Sequence, residues 1–506
     1  MKTSLSPRTT RATRARRPRL ESLEERTLLN AGTLDTTFGG TGIVIGTSGV
    51  DNAVLVQPAD GKIVTAGFSP NSSGTDNFTL ARYNPDGTPD ASFGSNGQVV
   101  TIVSPNGSLI NGAALQPDGK IVAVGQAFVK TSKGAFGTLK NEIAVARYTT
   151  SGALDTTFGG TKNKNGTISN AGEAFLSFGS GSDNARAVAF ETINGTTMIV
   201  VAGWTNSVTG HPEIVVARYN PNGTLDTTFG GSGTVVTSIP NTTLYPEAQA
   251  VAVQTDGKIV VAGPTNGPGP YPAFVARYNA NGSLDSTFGN SGLVTSQFTL
   301  QDGFYGVTIQ SDGKIVAVGD GSVASNGGVN TTGEVARYNP DGTLDTTFAG
   351  GSGVFLGPST GSEYLAVALQ SNGQFVAAGV APNLETLVTR FNTDGSLDTT
   401  YGSGGSTIIA VGTVYSQYNA VAIQPSDGSA VVAGFTSPGW PARDTLVARY
   451  TASSPSNSPS TLLEASPTTT TQPGAGSITP ALGPLALDSP DPWDAFRPVA
   501  KRHETH

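Results

Sequence analysis

One phrase recurs seven times along this chain, and its recurrence constrains the fold more than any other feature. "LDTTFG" begins at Leu34, Leu154 and Leu225, with close variants at Leu284, Leu344 and Leu397 and a weaker one, "PDASFG", at Pro89. Its aspartates, Asp35, Asp90, Asp155, Asp226, Asp285, Asp345 and Asp398, follow one another at a mean spacing of about 60 residues. The arginines of an "ARY"-type phrase keep step with them at Arg82, Arg147, Arg218, Arg277, Arg337, Arg390 and Arg449. Between the two lies "DGKIVxAG", at Asp60, Asp118, Asp256 and Asp312, which degenerates at Asn194, Asn372 and Asp427. A fixed period of this length is the signature of a repeat architecture rather than of independent domains.

Each unit holds four short runs rich in Val, Ile and Phe. In the fourth copy they are "QAVAVQ", "KIVVAG", "AFVARYN" and "LVTSQF", bounded by Asp-Gly, Asn-Gly or Gly-Gly. That pattern reads as strand and turn, and Asp-Gly supplies the positive φ that a tight hairpin needs. No amphipathic helix appears in 32–450. Four strands per unit, seven times over, predict an all-β fold, a seven-bladed β-propeller of four-stranded blades, in which radial repetition leaves few open sheet edges.

The register also predicts how the ring closes. The seventh blade, Ala420–Gln424, Ala430–Phe435 and Thr445–Tyr450, lacks a fourth strand, whereas the chain begins with an orphan one, Gly42–Gly46, placed after its own "LDTTFG". The orphan is expected to complete the last blade and remove two open edges.

Most of the repeated phrase then reads as scaffold. Phe38, Phe93, Phe158, Phe229, Phe288, Phe348 and Tyr401 are expected to pack between blades. Arg82 shares a strand parity with Leu80 and Phe78, so it points at a neighbouring sheet and needs an anionic or carbonyl partner there. The repeat aspartates are the natural candidates, as ion pairs or turn caps. A Ca²⁺ ion in "NPDGTLD" is the alternative reading, although the spacing fits no recognised cation loop. No cofactor is expected, and no metal site.

The ends differ from the middle. Residues 1–31 are basic, with Lys2, Arg8, Arg11, Arg14, Arg16, Arg17, Arg19 and Arg26, and lack the apolar run of a classical secretory signal. From residue 452 to 506 the chain is rich in Pro, Ser and Thr, too polar to pack a core. The expected organisation is therefore a targeting segment over 1–31, a propeller over 32–451 and a disordered tail. With no cysteine, neither disulfides nor thiolate metal sites can form. A net charge of −8 argues against nucleic acid, and no run approaches a transmembrane length.

At "GxLDxTFGxxG … QPDGKIVVAG … VARYNPDG" the units resemble the delta-60 repeat family of bacterial β-propellers, over about residues 32–450. The resemblance implies an exported, often modular surface protein, and it brings no reaction and no catalytic residues. Separately, "LESLEERTLLNAG", Leu20 to Gly32, resembles the N-terminal export signature of planctomycete extracellular proteins. The third and seventh copies depart most from the family pattern, at Asn194–Thr197 and Ser426–Ser429.

What varies between copies is the set of connections between the second and third strands and between successive blades, which a propeller places on one face. Variable loops on a rigid scaffold are where binding usually resides. Aromatics assigned to that face, Trp204, Tyr245, Tyr271, Tyr305, Tyr364, Tyr415, Tyr418 and Trp440, suit stacking on sugars or holding apolar and peptide groups. The expected ligand-binding set is Trp204, Tyr245, Tyr271, Tyr305, Tyr364, Tyr418 and Trp440, and the rival expectation is that several of these rings merely cover the core.

Enzyme readings fare worse. The histidines are His211, His503 and His506, so no Ser-His-Asp triad or three-histidine metal site can be built on the repeats. A hydrolase or lyase using the rim carboxylates Asp51, Glu247, Asp302 and Glu363 stays open, as does a purely structural envelope role. The leading expectation is an exported, monomeric, non-enzymatic binding or scaffold module at the cell surface, with an envelope polysaccharide or surface protein as partner.

Overall fold

The structure, a computed structural model, describes residues 31–131, 138–162, 168–239, 244–266, 270–325, 328–358, 361–412, 414–439 and 442–452. The basic N-terminal segment, nearly all of the Pro/Ser/Thr-rich tail and Trp440 lie outside the described residues.

Seven antiparallel sheets follow one another around a central axis. Their inner strands are Val50–Val56, Ser108–Leu115, Asp183–Ile193, Ala250–Val253, Asp302–Ile309, Glu363–Leu369 and Tyr415–Ile423, numbered here as blades 1 to 7. Each blade is built in the expected order, and helix is confined to two short 3₁₀ turns among the described residues, Ala349–Gly351 and Pro382–Leu384. Blade 4 splits its inner edge into Tyr245–Pro246 and Ala250–Val253, and a two-stranded hairpin, Gly159–Lys162 with Ile168–Ala171, precedes the outer strand of blade 2. No helix of the described residues is long and apolar enough to cross a membrane.

Blade 7 is closed by the chain's beginning. Ile43–Ser48 pairs antiparallel with Ala442–Tyr450, Ile43 opposite Ala448 and Ser48 opposite Asp444. The junction is reinforced next to the strand: Gly32 N–H donates to Thr451 O, Thr451 N–H to Thr33 O, and Asp35 N–H to Arg449 O. The orphan strand and its position are as the register predicts, with limits one to two residues further along.

The core lies between blades. Val64, Phe78 and Leu80 of blade 1 pack with Ile121, Ala144 and Tyr148 of blade 2 in one cluster, and the pattern repeats around the ring. Phe38, Phe93, Phe158, Phe229, Phe288, Phe348 and Tyr401 are all at most 1% exposed. Phe38 packs with Val431 and Val447 of blade 7 and with Val54 and Ile63 of blade 1, so its side chain joins the two ends of the ring.

The inner strands begin earlier than the "AVAVQ" runs because most of them contain a β-bulge. The pairing register shifts between Asp51 and Ala53, Ile110 and Gly112, Ala185 and Ala187, Phe304 and Gly306, Tyr364 and Ala366, and Tyr418 and Ala420. A bulge adds one residue and so flips side-chain parity. Opposite it stands the glycine of "xAG". A Cβ on Gly67 would lie 1.8 Å from Val50 O, and one on Gly319 would lie 1.6 Å from Gly303 O. The motif glycine is therefore required by backbone approach, not by a turn.

Candidate functional site

The repeated charged residues form a ring of inter-blade clasps. Arg82 Nε donates to Asp90 Oδ2 at 2.7 Å, and the same pair recurs in every blade, through to Arg390 with Asp398 and Arg449 with Asp35. Asp90 Oδ1 meanwhile accepts from Ser92 N–H and Oγ–H, closing the turn, as Asp155 does from Thr157 and Asp226 from Thr228. One guanidinium nitrogen reaches across to a carbonyl of the next blade: Arg82 to Thr150, Arg147 to Pro221, Arg218 to Ala280, Arg277 to Pro340, Arg337 to Thr393, Arg390 to Ala452 and Arg449 to Pro85. Each guanidinium also lies over the aromatic ring of its own "LDxTF", with Arg82 4.6 Å from the Phe93 centroid and Arg449 5.1 Å from that of Phe38.

Sequence reasoning missed a further member. Lys62, Lys120, Lys258 and Lys314 of "DGK" reach the same Asp Oδ2, at 2.9–3.2 Å. Where Lys is absent, Gln374 donates to Asp398, and in blade 3 Glu191 accepts from Arg218. The signal was available, because Lys follows Asp-Gly in these four copies. Burial alone would raise the Asp155 carboxyl, but hydrogen bonds from Thr157 and Lys120 and the Arg147 charge outweigh it and hold it at about 2. Asp90, Asp285 and Asp345 are likewise held well below the usual range, burial again being outweighed by Ser or Thr, Lys and Arg donors. With their oxygens spent in this way, these residues compose scaffold; among the described residues no group of three or more His, Cys, Asp and Glu is placed to hold a metal ion.

The aromatics expected on the variable face divide. Tyr364 is 4% exposed and donates to Thr389, and Tyr418 is fully buried with its hydroxyl against that of Tyr450. Both are core side chains, a correction to the expected rim position. They precede the bulge and so face the neighbouring blade. Tyr305, one residue past the equivalent position, lines the central channel. Trp204 belongs to the strand Thr196–Thr205 rather than to a loop, opposite Asn184, half-buried and with Nε1 lacking a hydrogen-bond partner. Tyr245 stacks on His211 of blade 3, centroids 4.2 Å apart and planes within 9°. Tyr271 is half-buried and bridges to Gln301, its carbonyl accepting from Asp302 N–H. Trp204, Tyr245 and Tyr271 are thus contributed by blades 3 and 4, which are adjacent.

The four rim carboxylates are dispersed among different blades. Asp302 is 3% exposed and caps a turn, accepting from Phe298 N–H, Thr299 N–H and Thr299 Oγ–H. Asp51 is 4% exposed and occupies the core position that Tyr364 and Tyr418 fill in other blades; burial raises its carboxyl to about 7. Glu247 accepts from Asn266 Nδ2 at 2.9 Å.

The distribution of exposed apolar side chains is uneven. Ile45, Val100, Phe175, Leu356 and Ile408 lie on outer strands. The remaining exposed large apolar residues, Ile102, Leu139, Val208, Leu300, Val329, Leu384 and Val414, all lie at the variable-loop face, either in connections or at the strand ends beside them. Among the described residues the opposite face, built of "PDGK" and "NPDG" turns, has none.

Seven four-stranded blades around an axis define a β-propeller, and this one is assembled from repeats. Six stretches, residues 59–93, 116–158, 198–229, 254–288, 310–348 and 370–401, match the model of a family described as a β-propeller domain of unknown function (DUF5122). No curated protein matches the sequence. Solved structures of similar fold include Chaetomium thermophilum Sqt1 bound to the N-terminus of the ribosomal protein L10, 11% identical, TM-score 0.41, covering 80% of this chain and 97% of that one. The polysaccharide lyase Uly1 is 11% identical, TM-score 0.45, covering 79% and 90%. A Dyadobacter fermentans protein of unknown function is 12% identical, TM-score 0.43, covering 83% and 97%. At these identities the likeness concerns the fold alone.

Proposed function

We propose that this propeller is an exported, non-enzymatic binding or scaffold module of the cell surface, delta-60-like in its repeats, whose variable-loop face takes a polysaccharide or a protein partner. One observation carries the reading: among the described residues, every exposed large apolar side chain off the outer strands lies at that face, in the company of Trp204, Tyr245 and Tyr271. Water-facing aliphatic groups gathered on one side of a rigid scaffold favour partner binding over a uniformly solvated surface. A hydrolase is less favoured, since Asp302 is buried and engaged in a turn, Asp51 is buried in the inter-blade core, and the four carboxylates come from different blades. Export is read from "LESLEERTLL" and from the resemblance of the repeats to the delta-60 family.

The test is binding of the purified chain to an array of envelope polysaccharides and to surface-protein extracts, alongside Val208→Asp and Leu384→Asp variants. Binding that both substitutions weaken supports the reading. Binding indifferent to both, or none to either class of partner, would remove it in favour of a purely structural role.

A further inference from the structure

The inner strands line an open central channel of about 310 Å³. The residue inside each bulge, or its equivalent in blade 4, lines it: Asn52, Asn111, Arg186, Gln249, Tyr305, Leu365 and Asn419, one from each blade. These positions lie near the start of each inner strand, toward the variable-loop face, and they form a collar. Beyond the collar the lining is apolar, with Val54, Val188, Val251, Val307, Val367 and Val421. A polar ring above an apolar floor is the general make-up of a small-molecule site.

Part of the collar is occupied in holding the ring together. Asn52 Nδ2 donates to Ile110 O, Asn111 Nδ2 to Ala185 O, and Asn419 Nδ2 to Asp51 O, each bond crossing to the next blade. Blades 3 to 6 break the series, with Tyr305 and Leu365 in blades 5 and 6. Arg186 and Gln249 stand where those asparagines would be, and neither side chain makes the corresponding cross-blade bond. Arg186 Nε is a buried atom with no partner. Among the lining residues Arg186 carries the one formal charge. Burial lowers the affinity of its guanidinium for the proton, and the charge of Glu247, whose Oε1 takes Asn266, acts in the opposite sense.

The Arg186 side chain is half-buried in the channel with its Nε unbonded, and its fork of donors matches a carboxylate in two-point geometry. One lining cation, with the Glu247 charge acting on it from outside the lining, suits at most a monoanion. The Gln249 amide beside it can both donate to and accept from a hydroxyl. We propose that the central channel is a binding site for a sugar acid, a hydroxylated monocarboxylate whose carboxylate pairs with Arg186 and whose hydroxyls meet Gln249. The site is separate from the loop-face partner site and does not depend on it.

The experiment is calorimetric titration of the full chain with D-glucuronate, D-glucose and acetate at matched ionic strength, repeated on Arg186→Gln and Gln249→Leu. Glucuronate should bind at least tenfold tighter than either control. Arg186→Gln should abolish that preference while keeping the melting temperature, because the Arg186 side chain makes none of the cross-blade bonds that hold the ring. Gln249→Leu should weaken glucuronate several-fold and leave acetate unchanged, which keeps the test decisive should Arg186→Gln fail to fold. Glucuronate binding no tighter than glucose, acetate binding as tightly as glucuronate, or a preference that survives Arg186→Gln would each overturn the proposal.

Discussion

Arg449 and Asp35 are 414 positions apart in the chain, yet Arg449 Nε lies 2.8 Å from Asp35 Oδ2. In six blades the equivalent pair spans eight residues; only here does it join the two ends of the described body. The same guanidinium lies over Phe38 and donates to Pro85 O of blade 1, so one side chain ties the first segment, the last strand and the first blade together. The pair is part-buried, and removing one partner leaves the other charge under-compensated. Asp35→Asn should therefore destabilise the protein, by about 1–2 kcal/mol. Hydrogen exchange should show blade 7 opening first, whereas Asp285→Asn should leave blade 7 protected. Equal protection of blade 7 in the two variants would contradict this.

The clasp carboxylates set a pH limit. Asp155 is held at about 2, below its unfolded value of about 3.9, so it contributes stability that is fully present above pH 4 and lost as pH falls through 2. The other clasp aspartates are shifted in the same direction. Melting temperature should fall steeply between pH 4 and 2. In Asp155→Asn, which starts lower, the fall should be shallower; parallel curves would refute the assignment.

Asp51 acts with the opposite sign. Its buried carboxyl is raised to about 7, so the folded state resists its ionisation and stability declines as pH rises from about 4 to 7. Asp51→Asn should be more stable than the parent at pH 8, by on the order of 2 kcal/mol more than at pH 4.5. Denaturant melts at the two pH values check this, and an identical difference at both would exclude a buried, raised carboxyl.

The motif glycine should tolerate no side chain. Gly319→Ala would place Cβ 1.6 Å from Gly303 O, against backbone rather than a side chain that can swing away. A loss of about 2 kcal/mol or more is expected from displaced strands. By contrast Gly231→Ala, at an open turn with nothing within 4 Å of the added atom but φ +78°, should lose only the cost of its backbone conformation. Comparable losses at the two sites would show that the bulge contact is soft.

The blade order and the closing strand were legible because "LDxTFG" and "ARY" repeat in step, and because Ile43–Ser48 had no partner in its own unit. Phe38 and its equivalents were legible as packing for the same reason. Tyr364 and Tyr418 were not: they read as parts of the connections leading into the inner strands, whereas the strands begin earlier and a bulge turns both rings into the core. A bulge leaves only an indirect trace in sequence, here the small residue after it, such as Ala366 or Ala420, and the glycine facing it, such as Gly379 or Gly434. The Arg186 position was invisible for that reason too, since only the three-dimensional register shows that it replaces an asparagine of the channel collar.

The closure of the ring can be tested most directly because the chain has no cysteine. Ser48 and Asp444 are paired across the last two strands of blade 7, both near the surface. In the double variant Ser48→Cys, Asp444→Cys, oxidation should give a single intramolecular disulfide and a monomer of unchanged mass. Because the bond closes a loop of nearly 400 residues, the melting temperature should rise on oxidation and fall back on reduction. Disulfide-linked dimers, or two thiols that stay reactive in the folded protein, would mean that Ile43–Ser48 does not complete blade 7 and that the ring is held shut by other means.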